Sequence, residues 1–364
     1  MSSPELIAHS RRFLRGPHLF LALAWMTHCG CAVSAEEAGR IPLVTGLTTT
    51  SAVSEAAGDY ETLATIGDIT PTYYKMTLSG EAPDGSGVVR EMHVSRNVRL
   101  DDARASRVLR RYFDESDPEE FPGTTPQFSS VMIDELRSTG KTTMTYQDVV
   151  PSFFAPMVKR TLRGSLVRVG LAAVTVPILV NGKVTPLRTW HVAGHLTAGA
   201  DGDDFDFVVL DDPGNPLRLQ SKGPGFSSSV LEIDFPVSTP AGSSIEQSLA
   251  QQKQAVVYGI YFKFARADIR PESQRILGQI AAILKKNPAW RLRVVGHTDS
   301  VGGNASNLDL SRRRAAAVEA ALIERYGIDA TRLSSTGYGA SQPQEKNDSP
   351  EGRARNRRVE LIRE

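Results

Sequence analysis

Short alternating runs dominate the first two-thirds of the chain, and helical periodicity takes over in the last third. Residues 72–78 and 88–94 alternate apolar and polar around Asp84-Gly85. Residues 174–180 and 183–189 do the same around Asn181-Gly182, and residues 190–196 and 205–210 around Asp201-Gly202. Each dipeptide suits a tight turn, so three β-hairpins are predicted. A last strand is expected at residues 231–235, after the turn Pro213-Gly214-Asn215-Pro216. Two helical patches interrupt: residues 100–113, with Val108, Leu109 and Tyr112 at helical spacing, and residues 129–136, with Ser130 as cap.

Residues 237–244 read as a linker. Beyond it the pattern predicts a strand over 255–264 and a helix opened by Pro271, with a stripe of Ile276, Leu277, Ile280, Ile283 and Leu284. A strand with Leu292, Val294 and Val295 follows, then a helix over 306–325 with Ala317, Val318, Ala321 and Leu322 inward, ended by Gly327. Strands at 333–338 and 359–362 complete a βαβαββ order, which predicts a mixed sheet with two helices on one face. The expected fold class is α+β. An antiparallel β-rich domain covers residues 36–240, a linker and lead-in 241–250, and the mixed-sheet domain 251–364.

Composition adds compartment and partner. Hydrophobic residues make up 40% and charged residues 23% of 364 positions, with a formal net charge of +1. These are ordinary values for a globular chain of two domains. The balance is uneven, however: residues 36–250 are net acidic and the remainder net basic. The basic end suits an anionic partner, and by charge alone nucleic acid and a carboxylate-rich polymer both fit. Aromatic residues hardly interleave with the run Gly352-Arg-Ala-Arg-Asn-Arg-Arg-Val-Glu-Leu, so a base-stacking platform is not supported and no nucleic-acid partner is expected. That run reads as a solvated face or as protection of an edge strand.

Residues 1–35 read as a secretory signal peptide: Arg11, Arg12 and Arg15, an apolar run from Leu19, and Val33-Ser34-Ala35 before the cleavage point. Ser10-Arg11-Arg12-Phe13-Leu14 is one residue short of a twin-arginine signal. An uncleaved anchor, or lipidation at Cys29 or Cys31, is the alternative fate. Both cysteines lie in this segment, so cleavage leaves neither a disulfide nor a Cys-ligated metal. Strands of about five to seven residues fall short of the ~9–11 of a membrane barrel, which favours a soluble β-rich domain.

The middle of the chain offers little chemistry. His191 and His195 have the spacing of a helical zinc pair, but on a strand they stand ~13 Å apart. The acidic cluster after Asp201 lacks the Gly and terminal Glu of an EF-hand. Gly302-Gly303 lacks the Gly-Lys-Ser/Thr of a phosphate loop, and His297, with no nucleophile beside it, reads as a satisfied turn histidine. No catalytic residue, metal or cofactor is expected.

The second C-terminal helix is more informative. Asn307, Leu310 and Arg314 fall on one face, continued by Val318. A cation on such a stripe is costly unless paired, and the nearest candidate is Asp299 in the preceding loop. Two readings stand. One is a structural Asp299–Arg314 ion pair. The other is a clamp in which Arg314 takes a carboxylate and Asp299 an ammonium, with Thr298 and Asn307 adding hydrogen bonds.

Gly296-His-Thr-Asp-Ser-x-Gly, Asn307-x-x-Leu310-Ser311-x-x-Arg314-Ala315, Gly337-Tyr-Gly, Pro343, Asn347 and Gly352-Arg-x-x-Asn356-Arg-Arg-Val-Glu-Leu together resemble the OmpA-like peptidoglycan-binding domain family over about residues 256–364. The resemblance implies a Gram-negative periplasmic or outer-membrane-associated protein that holds the cell wall without cleaving it. It implies that Asp299 and Arg314 bind the amino and carboxylate groups of diaminopimelate in the stem peptide. Thr298, Asn307 and Leu310 would line the same pocket, with Asn356 and Arg357 near it and the backbone of Ala265 against the ligand. One departure is Phe262-Lys263-Phe264-Ala265, where the family commonly has Phe-Asp-Phe-Asp/Asn. The β-rich region matches neither the family's membrane barrel nor its stator helix. It is expected to serve as an interaction module for an envelope protein. The alternative is an exported cell-wall enzyme targeted by this domain.

Overall fold

The computed structural model describes residues 40–83, 88–111, 118–150, 158–236 and 242–364. The expected signal peptide, the Asp84-Gly85 turn, Tyr112 and residues 237–241 lie outside the described residues.

The N-terminal meander is β1 (Thr48–Glu55), β2 (Gly58–Ile69), β3 (Tyr73–Pro83) and β4 (Val89–Arg99), each antiparallel to the next. After α1 (Leu100–Ala105) come β5 (Val108–Arg110), α2 (Ser130–Thr139), β6 (Lys141–Val150), β7 (Val158–Arg168), β8 (Val174–Val180), β9 (Lys183–Ala198), β10 (Asp201–Leu210), β11 (Arg218–Gly223) and β12 (Phe226–Asp234). All the strands join one large sheet in the order β4-β3-β2-β1-β12-β11-β10-β9-β7-β6-β5, with β8 beside β9 and β12. Its apolar residues form two cores, one around Ile41, Leu210 and Ile233 and one around Tyr146, Phe207 and α2.

The hairpin expectations meet this sheet with local differences. Asn181 (φ 49°) and Gly182 (φ 75°) both take the left-handed conformation that a two-residue turn between β8 and β9 requires. Between β9 and β10 the turn falls at Gly199-Ala200, because Ala198 pairs with Asp201. The expected helix over 100–113 is a correction. It ends at Ala105, where the Ser106 hydroxyl accepts from the Val108 amide, and Leu109 is buried in a strand alongside β6. Tertiary pairing overrides the helical spacing there. The cap of α2 is Ser129 rather than Ser130; its hydroxyl accepts from the Met132 amide at 3.4 Å.

The C-terminal part opens on α3 (Gly242–Gln252), a helix where a linker and lead-in were expected; its Ile245 and Leu249 enter the core. Next come β13 (Gln254–Val257), α4 (Gln274–Lys286), β14 (Leu292–His297), α5 (Asn304–Glu324), β15 (Leu333–Gly339), α6 (Pro350–Asn356) and β16 (Val359–Arg363). The sheet runs β13-β16-β14-β15, with β14 and β15 parallel and the other pairs antiparallel, so it is mixed. All five apolar residues of the predicted stripe on α4 are buried. The expected strand over 255–264 is shorter: it stops at Val257, and Gly259 turns the chain at φ 85°.

Gly296 on β14 and Gly337 on β15 bring α5 hard against the sheet. A Cβ at either would lie 2.3–2.4 Å from α5 backbone or the Ser311 hydroxyl. The Ser311 hydroxyl also accepts from the Gly339 amide at 2.9 Å. This close approach fixes the first turns of α5 above the β14–α5 loop.

Charge near the same strands makes stability pH-dependent. The His297 imidazole, 3.6 Å away, and the Arg358 guanidinium, donating at 2.8 Å, pull the Glu360 carboxyl down to about 2 against the cost of burial. A carboxyl lowered on folding contributes stability above its unfolded value near 4.5 and loses it as pH falls through about 2. Glu135, lowered to about 2 chiefly by Arg107, acts in the same window. Glu360→Gln should therefore flatten part of the acid limb between about pH 4.5 and 2, by about 1–2 kcal/mol allowing for screening. Urea midpoints across that range check it; an unchanged slope would contradict the assignment.

Candidate functional site

The loop between β14 and α5 carries the predicted acid. Asp299 is 9% exposed. Its Oδ1 accepts from the Val301 amide at 3.0 Å, and its Oδ2 accepts from Arg357 Nη1 at 2.7 Å. Asn307, on the first turn of α5, is also buried and donates through Nδ2 to the carbonyls of Asp299 (3.2 Å) and Val301 (3.1 Å). The Thr298 amide donates to the Gly339 carbonyl and its hydroxyl to the Asp299 carbonyl. Backbone and side chains thus hold the acid in place before any ligand arrives.

Arg314 lies two turns along α5. Its Nε donates to the Arg266 carbonyl at 3.0 Å, and its guanidinium stands 4.9 Å from the centre of the Phe262 ring. Among the described residues it forms no ion pair. Burial pulls its pKa down to about 10, despite the attraction of Glu61 and Asp299. Of the two readings, the structural Asp299–Arg314 ion pair does not form: the partner of Asp299 is Arg357, at the end of α6, which is better placed to reach Oδ2.

Thr298, Asp299, Asn307, Leu310, Arg314, Ala265 and Arg357 all line one cavity of about 660 Å³. Asn356 does not line it. Asn356 is fully buried and spends its amide on the 344–347 loop. Lys263, the residue that departs from the family pattern, does not line the cavity either. Its amide donates to the Asp268 carbonyl within the same loop.

Ala265 sits at φ 53°, a conformation that costs an alanine about 1 kcal/mol and an asparagine less. Ala265→Asn should raise stability by about 0.5–1 kcal/mol, read as a higher urea midpoint. A lower midpoint would mean that the added side chain clashes at the cavity rim.

Sequence reasoning missed the other wall. Asp59 and Glu61 on β2 and Glu81 and Pro83 on β3 line the same cavity. Glu61 Oε1 accepts from Arg357 Nε at 3.0 Å and Nη2 at 2.7 Å, across a separation of 296 residues. Asp59 pairs with Arg353 at 2.5 Å. The arginines of the basic run thus meet carboxylates within the chain: Arg358 faces Glu360, and Arg355 faces Glu345. No local pattern marks Glu61; only the folded sheet brings it here. His297 also departs from expectation. Its side chain is wholly buried at the end of β14, and neither ring nitrogen has a hydrogen-bond partner among the described residues.

His191 and His195 sit on β9 and face Asp206 and Asp204 across the strand pair at 2.7 and 2.8 Å. Among the described residues no cluster of three or more potential ligands could hold a metal, and no helix is long and apolar enough to cross a membrane.

The segment that carries Asp299, Arg314 and Arg357 matches the OmpA family over residues 261–357. Residues 261–357 form an OmpA-family domain. Outer membrane porin F of Pseudomonas aeruginosa is 37% identical over 131 residues, covering 35% of this chain and 37% of that protein. Outer membrane protein A of Bordetella avium is 37% identical over 124 residues, or 34% of this chain and 63% of that protein. Peptidoglycan-binding protein ArfA of Mycobacterium bovis is 38% identical over 96 residues, or 26% of this chain and 29% of that protein. The chain thus spans less than two-thirds of each of these relatives. No family matches the large N-terminal sheet.

Proposed function

We propose that this chain is a non-catalytic cell-wall anchor whose OmpA-family domain binds peptidoglycan through the diaminopimelate of the stem peptide. The observation that carries the reading is Arg314, a half-buried guanidinium that forms no ion pair among the described residues and lines the same cavity as a prepositioned carboxylate. Burying an unpaired cation opposes folding, and a ligand carboxylate would offset that cost. Asp299 would face the ligand's ammonium, with Thr298, Asn307, Leu310 and the Ala265 backbone shaping the pocket. Asn356 would position the Asp299 loop rather than touch ligand. Two of the relatives, an outer membrane porin and a peptidoglycan-binding protein, support the same reading.

On this reading the chain is exported by its N-terminal signal and works in the periplasm against the wall. The β-rich region over 36–240, whose sheet packs against the OmpA-family domain, meets an envelope protein. The test is co-sedimentation of the full chain with purified diaminopimelate-containing sacculi, with free meso-diaminopimelate as competitor. Retention that the free amino acid reverses is expected. A chain that stays in the supernatant at every protein concentration would sink the proposal.

A further inference from the structure

One wall of the ligand cavity belongs to the N-terminal sheet, and its acidic groups already engage donors that a ligand would use. Glu61 takes two donors of Arg357, while the third engaged donor goes to Asp299. Glu61 is also the strongest attractive charge at Arg314, ahead of Asp299. On the loop that carries Ala265, Glu81 Oε2 accepts from the Phe264 amide at 2.5 Å. A carboxylate arriving at Arg314 would therefore meet a like charge nearby, in a half-buried site where repulsion is less screened than in bulk water.

The seam between the two sheets is polar. Each of the three large apolar cores lies wholly on one side of it. The cluster that crosses it consists of Ala52, Leu231 and Ala354. Among the described residues polar contacts also cross it: Asp59–Arg353, Glu61–Arg357, Asp234–Arg275, Glu81 with the Phe264 amide, Ser229 with Glu351, and the 2.6 Å contact between the Thr50 and Tyr261 hydroxyls. An interface held mainly by polar and ionic contacts, with no large apolar core shared across it among the described residues, is of the kind that permits relative motion.

We propose that Glu61 and Glu81 are internal competitors of the peptidoglycan ligand, so that docking of the N-terminal sheet and tight binding at the Asp299–Arg314 pocket oppose each other. The inference rests on the pocket assignment made above. The sheet supplies two carboxylates where a carboxylate-bearing stem peptide would place its own acceptors, and the ligand gains full access to Arg314 only as this wall withdraws. Anything that pulls the sheet away, such as a partner gripping its far side, would tighten the hold on the wall.

The experiment is sacculus co-sedimentation of the full chain as wild type, Glu61→Gln and Arg314→Ala, with thermal melts of each. Glu61→Gln keeps shape and removes charge, and about tenfold tighter retention than wild type is expected. Equal or weaker retention overturns the proposal, since Glu61 would then be a bystander or a ligand contact. If Glu61→Gln fails to fold, Asp59→Asn combined with Glu81→Gln loosens the same wall without touching Glu61, and the absence of any gain overturns the proposal equally. Failure of the pocket assignment has a separate signature: Arg314→Ala is then retained as well as wild type, whatever Glu61→Gln does.

Discussion

Arg314→Ala should lose sacculus retention by more than a hundredfold while its thermal midpoint stays level or rises. A guanidinium fork held against a carboxylate in a desolvated site is worth about 3 kcal/mol, which is more than two decades in affinity. Nothing comparable is lost from the fold. Arg314 forms no ion pair among the described residues, and burial already depresses its pKa to about 10. Among the described residues its structural contacts are the bond from Nε to the Arg266 carbonyl and the Phe262 ring 4.9 Å away. Arg314→Lys should fall between, about tenfold weaker than wild type, because an ammonium supplies charge without the planar fork. Retention of the alanine variant at wild-type strength would remove this pocket from consideration. A drop of many degrees in its midpoint would instead make Arg314 a prop for the loop that carries Ala265.

Asn356→Ala is expected to cost about 3–4 kcal/mol of stability and to weaken binding as a consequence. The Asn356 side chain accepts from the Gln344 and Glu345 amides at 2.8 and 2.9 Å. It donates to the Glu345 carbonyl at 2.8 Å and to Asn347 Oδ1 at 3.0 Å. The same Asn347 oxygen accepts from the Ser300 amide at 3.1 Å, next to Asp299. Alanine removes four bonds at a fully buried position and strands backbone donors. The expected signature is a lowered urea midpoint together with weakened retention that recovers partly under stabilising conditions. Loss of retention with an unchanged midpoint would instead place Asn356 in contact with ligand.

Much of the C-terminal architecture was legible because its signals are local. The stripe on α4, the Asn307–Leu310–Arg314 face of α5 and the alternation of β14 all follow from side-chain periodicity. The failures are local signals overruled by distant partners. Residues 108–110 carry helical spacing, yet they pair with β6 because that buries Leu109. The strand expected over 255–264 stops early, and Tyr261 instead reaches Thr50 in the other sheet. His297 reads as an ordinary turn residue, yet it is a buried ring wedged beside Glu360 and Tyr338.

The sequence by itself determined the β-α-β-α-β succession from β13 to β15 and the placement of one acid and one base beside the β14–α5 loop; the helices α3 and α6 that flank β13 and β16 escaped it. Periodicity and motif spacing suffice for these because each depends on residues within a few turns of one another. Only the tertiary structure decided which charges meet. Asp299 turned to Arg357 rather than to Arg314, and Glu61, 296 residues from Arg357 in sequence, became its second partner. Ion pairing depends on distance in space and on desolvation, and neither can be read from chain separation. The pocket residues named from the sequence were therefore seven of a cavity's lining, while the wall that opposes them came from a sheet whose own sequence carries no mark of it.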